Sequence, residues 1–167
     1  EDAPQPLHPG IADVFRIAAI STELEVADLI RDGLLQCPQR FGNSTYFALR
    51  ITGTGLSFRS KLKEHVWRDP GFYLNPTFLR RCNGLPVVWL HPEKDKLDSK
   101  SYAESVVGSI VLPYVRGEEV WGIARILDDS ASEEMAKTQL STSPGVVFAE
   151  SSGNVKVSLE DETEMLI

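Results

Sequence analysis

Residues 106–127 read VVGSIVLPYVRGEEVWGIARIL, and this stretch decides the fold. Apolar residues dominate 106–115 and 119–127, and Arg116-Gly117 between them is typical of a tight turn. Two apolar runs of strand length that are joined by a short turn predict a β-hairpin. The stretch therefore predicts two neighbouring antiparallel strands.

Helix signals lie on both sides of this hairpin. Thr22 stands three residues before a glutamate, the spacing of a capping box, and predicts a helix over 22–35. An Asn-Pro pair predicts a second helix over 75–82, because asparagine is a favourable helix cap and proline fits the first helical position. Ser130 repeats the capping-box spacing and predicts a third helix that ends near residue 140.

Strands outnumber helices in the rest of the chain. Further strands are predicted at 46–51, 86–90, 146–149 and 155–159, whereas 58–71 is predicted to be charged and irregular and 92–101 to be a polar loop. The order shows no alternation of strand and helix. It therefore favours an α+β domain, with a mostly antiparallel sheet or a partly closed β-barrel and short surrounding helices.

The chain of 167 residues is long enough for one domain with one core. Residues 1–20 contain three prolines in the first nine positions and are predicted to form an extended arm. Residues 21–167 are predicted to form a single domain. Because the first residue is Glu1 rather than Met, we expect a fragment, a processed product or the ordered part of a longer chain.

Composition excludes several classes of partner and cofactor. The net charge of −7 argues against nucleic acid and anionic membranes, since a basic excess is needed to bind either. Apolar runs are far shorter than the roughly 20 residues that cross a bilayer, so no membrane partner is predicted. Cys37 and Cys82 have no metal-site spacing, and no phosphate-binding glycine loop occurs. The sequence predicts no cofactor and no metal.

His91 is the candidate general base. On a strand from Val87, the side chains of Val87, Trp89 and His91 point to one side, so His91 ends an apolar face at the rim of the sheet. Histidine is the side chain that exchanges a proton near neutral pH. A structural histidine that caps the strand end explains the same position, and this residue alone leaves both interpretations open.

Ser143 is the candidate nucleophile. It lies before an apolar strand, in a Ser-Pro-Gly turn whose proline is rigid and whose glycine lets another backbone approach. A serine hydroxyl next to a histidine base can attack a carbonyl carbon. An ordinary Ser-Pro turn explains the segment as well, and from this segment alone it is the preferred interpretation. Ser141 is a second candidate, because on an extended segment it faces the same way as Ser143.

Several motifs follow one another in a particular order along the chain. They are Thr52-Gly53-Thr54-Gly55, Arg68-Asp69-Pro70, residues 84–92 (GLPVVWLHP), Val107-Gly108-Ser109, residues 121–128 (WGIARILD) and Ser143-Pro144-Gly145. In order and spacing they resemble the prohead maturation proteases of tailed phages and prophages. Those are serine proteases that share their fold with the herpesvirus assemblins. The resemblance covers about residues 46–148.

The resemblance implies a serine endopeptidase of capsid assembly, with His91 as the base, Ser143 as the nucleophile and no cofactor. Its implied substrates and partners are scaffolding protein and the amino-terminal segments of the major capsid protein, together with self-association. The implied location is the prohead or virion in the host cytoplasm.

The sequence departs from the family in two places. Thr142 replaces an apolar residue before the serine, which keeps Ser141 as an alternative nucleophile. The family also uses a third residue, a histidine or an acid, downstream of the serine, and here only the acids of 161–164 or a residue beyond Ile167 can supply it. An alternative is therefore a catalytically inactive scaffold or minor head protein that acts through assembly contacts.

Overall fold

A computed structural model of the chain describes residues 22–60, 63–89, 98–138 and 142, and the backbone of 156–158 and 164–166. The helices are α1 (Glu23–Arg31), α2 (Pro70–Tyr73), α3 (Pro76–Cys82), α4 (Ser99–Ser105) and α5 (Asp129–Lys137). The strands are β1 (Gln39–Phe41), β2 (Ser44–Gly53), β3 (Gly55–Arg59), β4 (Glu64–Arg68), β5 (Pro86–Val88), β6 (Val106–Arg116), β7 (Glu119–Ile126), β8 (Lys156–Ser158) and β9 (Glu164–Leu166).

Five strands form one antiparallel sheet in the order β1-β2-β7-β6-β5. Its middle is the predicted hairpin, in which Arg116 pairs with Glu119 and Gly117 takes a φ of 59°. That positive φ suits glycine, which lacks the Cβ that crowds other residues there. An α+β fold around a mostly antiparallel sheet is thus confirmed. The described strands run in an open order from β1 to β5 and do not close a barrel.

Glycine allows the two central strands to meet closely at Gly108. A Cβ atom on this residue would lie 1.9 Å from the carbonyl oxygen of Arg125 on β7. Every other residue type would therefore push β6 away from β7, so the sequence requires glycine at this point.

Helices cover both faces of the sheet. On one face, α1 packs Val26 and Ala27, both 0% exposed, against a cluster that contains Ile123 of β7. On the other face, α3 and α5 contribute Cys82 and Ala131 to a second cluster. Because both faces are buried, the central strands are apolar at successive positions rather than alternately apolar and polar.

Two of the predicted helix starts are confirmed, and one is wrong. Thr22 and its glutamate partner form the expected capping box, and Asn75 accepts a hydrogen bond from the amide of Phe78. The cap of α5, however, is Asp128, whose carboxylate accepts from the amide of Ala131 at 2.6 Å. Ser130 therefore lies inside the helix rather than at its start.

The region 58–71 is not irregular as the sequence predicted. It contains part of β3, all of β4 and the start of α2. The two strands pair antiparallel with each other, with Leu56 opposite Trp67 and Phe58 opposite His65. The region 92–101 likewise includes the first turn of α4, which Asp98 caps. In both places the prediction was wrong because charged residues interrupt the apolar pattern by which a strand or a helix is recognised.

Candidate functional site

The strand predicted to lead to His91 exists and is an edge strand. β5 pairs with β6, with Pro86 opposite Ser109 and Val88 opposite Val106. The amide of Trp89 then donates a hydrogen bond to the carbonyl of Ser105 at 2.9 Å. His91 follows two residues later and lies outside the described residues.

The segment that carries the candidate nucleophile is described at one residue. The hydroxyl of Thr142 donates a hydrogen bond to the backbone carbonyl of Arg50 on β2. Ser141 and Ser143 on either side lie outside the described residues. Thr142, which lies between the two candidate serines, is thus attached to the sheet that also contains β5.

The two attachment points lie on different parts of that sheet. β7 and β6 separate β2 from β5, which places these strands about 14 Å apart across the sheet. Along the strands, Arg50 is level with Tyr114 of β6 through Trp121, whereas Val88 is level with Val106, about 25 Å further along β6. A serine and its base must approach to about 3 Å. The two attachments therefore do not by themselves bring His91 and Ser143 together, and the pairing stays a prediction.

The acidic candidates for a third catalytic residue lie near the end of the chain. Of residues 161–164, only the backbone of Glu164 is described, and it pairs with Ser158 between β9 and β8. β9 lies against β4. His65, on β4, packs its ring on Phe58 with a centroid distance of 4.9 Å.

An open groove lies at the end of the sheet where β5 leaves it. Its volume is about 420 Å³, and α4 and the adjoining ends of β6 and β7 form its walls. The lining residues are Tyr102, Val106, Val107, Gly108, Ser109, Arg125, Leu127 and Asp128. Tyr102 and Leu127 are 54% and 51% exposed, so the groove presents apolar surface to solvent.

One charge pair lies beside this groove. Arg125 donates from Nη1 to Glu23 of α1 at 2.8 Å, whereas its buried Nε has no hydrogen-bond partner. Burial raises the pKa of the neighbouring Tyr46 phenol, Glu23 raises it further, and Arg125 partly offsets the shift. The groove can thus bind an apolar side chain flanked by polar groups, but its described lining contains no serine–histidine pair.

Sequence reasoning did not find this groove. Its walls come from segments about twenty residues apart, and no local pattern joins them. The one signal in the sequence was Arg125, a cation between the apolar residues Ala124 and Ile126, because a charged residue within an apolar run usually has a partner.

The described residues contain no group of histidine, cysteine, aspartate or glutamate side chains that could hold a metal ion. Within that same part of the chain, none of the helices has the length and apolar character needed to span a bilayer. Comparisons with models of protein families, with curated proteins and with solved structures find no significant match.

Proposed function

We propose that this chain is a serine endopeptidase that processes scaffolding protein or the major capsid protein during phage capsid assembly. The observation that carries the proposal is the order and spacing of the motifs around His91 and Ser143 in a chain whose described part has an α+β fold. Trp89 is held by Ser105 before His91, and Thr142 is held by Arg50 before Ser143. The α+β fold and the order of the motifs around these residues support the same function.

In the proposed mechanism His91 accepts the proton of the Ser143 hydroxyl as the serine oxygen attacks a peptide carbonyl carbon. Collapse of the tetrahedral intermediate breaks the C–N bond, and His91 returns the proton to the leaving amine. Water then hydrolyses the acyl-enzyme by the same proton transfers in reverse. The reaction needs no metal or organic cofactor.

A fluorophosphonate probe tests the proposal directly, because it modifies serines that a neighbouring base activates. We expect labelling of Ser143 in the full chain, located by peptide mass spectrometry. Ser143→Ala and His91→Ala should each lose the label, and Ser141→Ala is the matched control that keeps it. Labelling of Ser141 instead would show that Ser141 is the nucleophile. A folded chain that no variant or condition labels is not a serine protease.

A second candidate function is a non-catalytic assembly protein that works through contacts alone. The observation in its favour is the exposed aromatic face of the β3–β4 hairpin, where Phe58 and Trp67 are 56% and 54% exposed. Co-expression with scaffolding protein and major capsid protein separates the two candidates. Cleavage that Ser143→Ala abolishes supports the protease, whereas stable association without cleavage supports the assembly protein.

A further inference from the structure

Helix α1 runs along one face of the sheet, and its first turn lies at the groove beside α4. Glu23 in that turn accepts a hydrogen bond at 2.8 Å from Arg125, which lines the groove. Arg31, in the last turn, lies near Tyr114 of β6. Because Arg125 is level with Ser109 of β6, α1 runs from the groove end of the sheet towards the turn between β6 and β7. The chain that precedes α1 therefore joins the helix at the groove end.

Two large apolar side chains of the groove remain about half exposed. Leu127 follows β7, and its amide donates a hydrogen bond to the carbonyl of Val107 at 2.9 Å, which fixes its backbone against β6. The Leu127 side chain is nevertheless 51% exposed, and Tyr102 on the α4 wall is 54% exposed. A concave surface with such side chains is typical of a site that binds an apolar segment.

The sequence places an apolar segment directly before α1. Residues 11–20 read IADVFRIAAI, in which every residue except Asp13 and Arg16 is apolar. The three prolines that predict an extended arm all lie within the first nine positions, so they place no restriction on 11–20. Removal of such side chains from water is favourable by roughly 25 cal/mol per Å² of apolar surface. The segment therefore needs an apolar surface to pack on.

The segment is long enough to reach the groove of its own chain. Phe15 precedes Thr22, the cap of α1, by seven residues, which span at most about 25 Å. The groove begins at Arg125, which contacts the residue after the cap, and Leu127 lies about 7 Å further along the strand direction. Phe15 and the residues that follow it are therefore within reach of the exposed groove side chains. A contact this close in sequence to its anchor costs little loop-closure entropy.

We infer that residues 11–20 dock into the groove between α4 and β7 of the same chain, with the Phe15 side chain against Tyr102 and Leu127. The segment and the groove then remove each other's apolar surface from water. An apolar peptide of another protein can enter the groove only by displacing this segment, which competes at an effective concentration on the order of millimolar because it is tethered. The inference is independent of the proposed proteolysis, since it uses neither His91 nor Ser143.

Limited trypsin digestion of the folded full chain tests this contact at Arg16, the cation inside the segment. Trypsin cleaves after arginine where the chain is accessible, so docking should protect the bond between Arg16 and Ile17. Tyr102→Ser with Leu127→Ser removes the apolar walls of the groove. This variant should raise the initial rate of cleavage at Arg16 by about tenfold, because cleavage follows the undocked fraction. Intact mass spectrometry measures the rate as loss of residues 1–16.

The matched control is Phe58→Ser with Trp67→Ser on the β3–β4 hairpin. These side chains are as exposed as those of the groove, and the hairpin follows the end of β2 that is remote from the groove. The control should leave the rate of cleavage at Arg16 unchanged. Equal rates in the original chain and the groove variant, or an equal rise in the control, overturn the inference. Circular dichroism verifies that each variant is folded, as expected when the replaced side chains are exposed.

Photo-crosslinking identifies the partner of the segment without a change in the groove. With p-benzoylphenylalanine in place of Phe15, we expect crosslinks to peptides that contain Tyr102 or Leu127. In a mixture of isotope-labelled and unlabelled chains, each crosslink should join two peptides of the same label, because the contact lies within one chain. Crosslinks between labelled and unlabelled chains, crosslinks to other surfaces or no crosslink at all would each refute the inference. Failure here leaves the fluorophosphonate test of Ser143 unaffected.

Discussion

β2 of the central sheet and β3 of the β3–β4 hairpin follow each other along the chain but differ in how far their side chains are buried. β2 runs into β3 with only Thr54 between them. In β2, Tyr46 and Phe47 are buried beneath helices on opposite faces, whereas Phe58 in β3 is more than half exposed. Apolar composition is similar in both strands. The difference lies in the helices, which pack on the sheet and leave one face of the hairpin open.

The largest expected effect of a substitution is in the sheet. Ile123 is 0% exposed at the centre of β7, and Ile123→Ala should lower the free energy of unfolding by about 2–5 kcal/mol, since it removes buried methyl groups and leaves a cavity. Urea denaturation measures this loss. Phe58→Ala, the matched truncation in the hairpin, should cost less than about 1 kcal/mol at low protein concentration. Equal losses would show that the hairpin face is covered.

A smaller effect, of opposite sign, is expected at Tyr114 on β6. Its phenol oxygen is buried and has no hydrogen-bond partner, so Tyr114→Phe should raise the free energy of unfolding by about 1 kcal/mol at neutral pH. Burial raises the pKa of this phenol, and nearby Arg116 offsets part of the shift. Thermal unfolding of the variant and the original chain over a series of pH values measures both effects.

The direction of the pH dependence follows from that raised pKa. The folded chain favours the neutral Tyr114 phenol. The stabilising contribution of this neutral phenol is complete below the pKa of about 10 in the unfolded chain, and it is lost as the pH rises through the higher pKa of the folded chain. Stability should therefore fall more steeply above pH 10 in the original chain than in Tyr114→Phe. Tyr102→Phe, at an exposed tyrosine, is the control and should leave the profile unchanged. Parallel profiles for the original chain and Tyr114→Phe would contradict the assignment.

The same comparison explains what the sequence predicted well and what it did not. The β6–β7 hairpin was predictable because its turn is local and both of its strands are apolar along their length. β3 and β4 were missed because Arg59, Lys63 and Glu64 interrupt the apolar positions, and only pairing across the turn reveals the shared face. The segments that carry His91 and Ser143 were identified from their motifs. The groove was missed because its shape depends on where α4 packs on the sheet.

The smallest effect is expected at the ion pair of the hairpin. Arg59 and Glu64 approach to 3.0 Å, but their side chains are 54% and 46% exposed. Water and salt screen such a pair, so Glu64→Gln should change the free energy of unfolding by less than about 1 kcal/mol. Asp128→Ala, at the cap of α5, provides the comparison in the sheet layer, because it removes the carboxylate that accepts a helix amide at 2.6 Å and should cost about 1 kcal/mol. If Glu64→Gln costs more than Asp128→Ala in urea denaturation, the exposed ion pair contributes more to stability than a helix cap does, which contradicts the expectation for a screened pair.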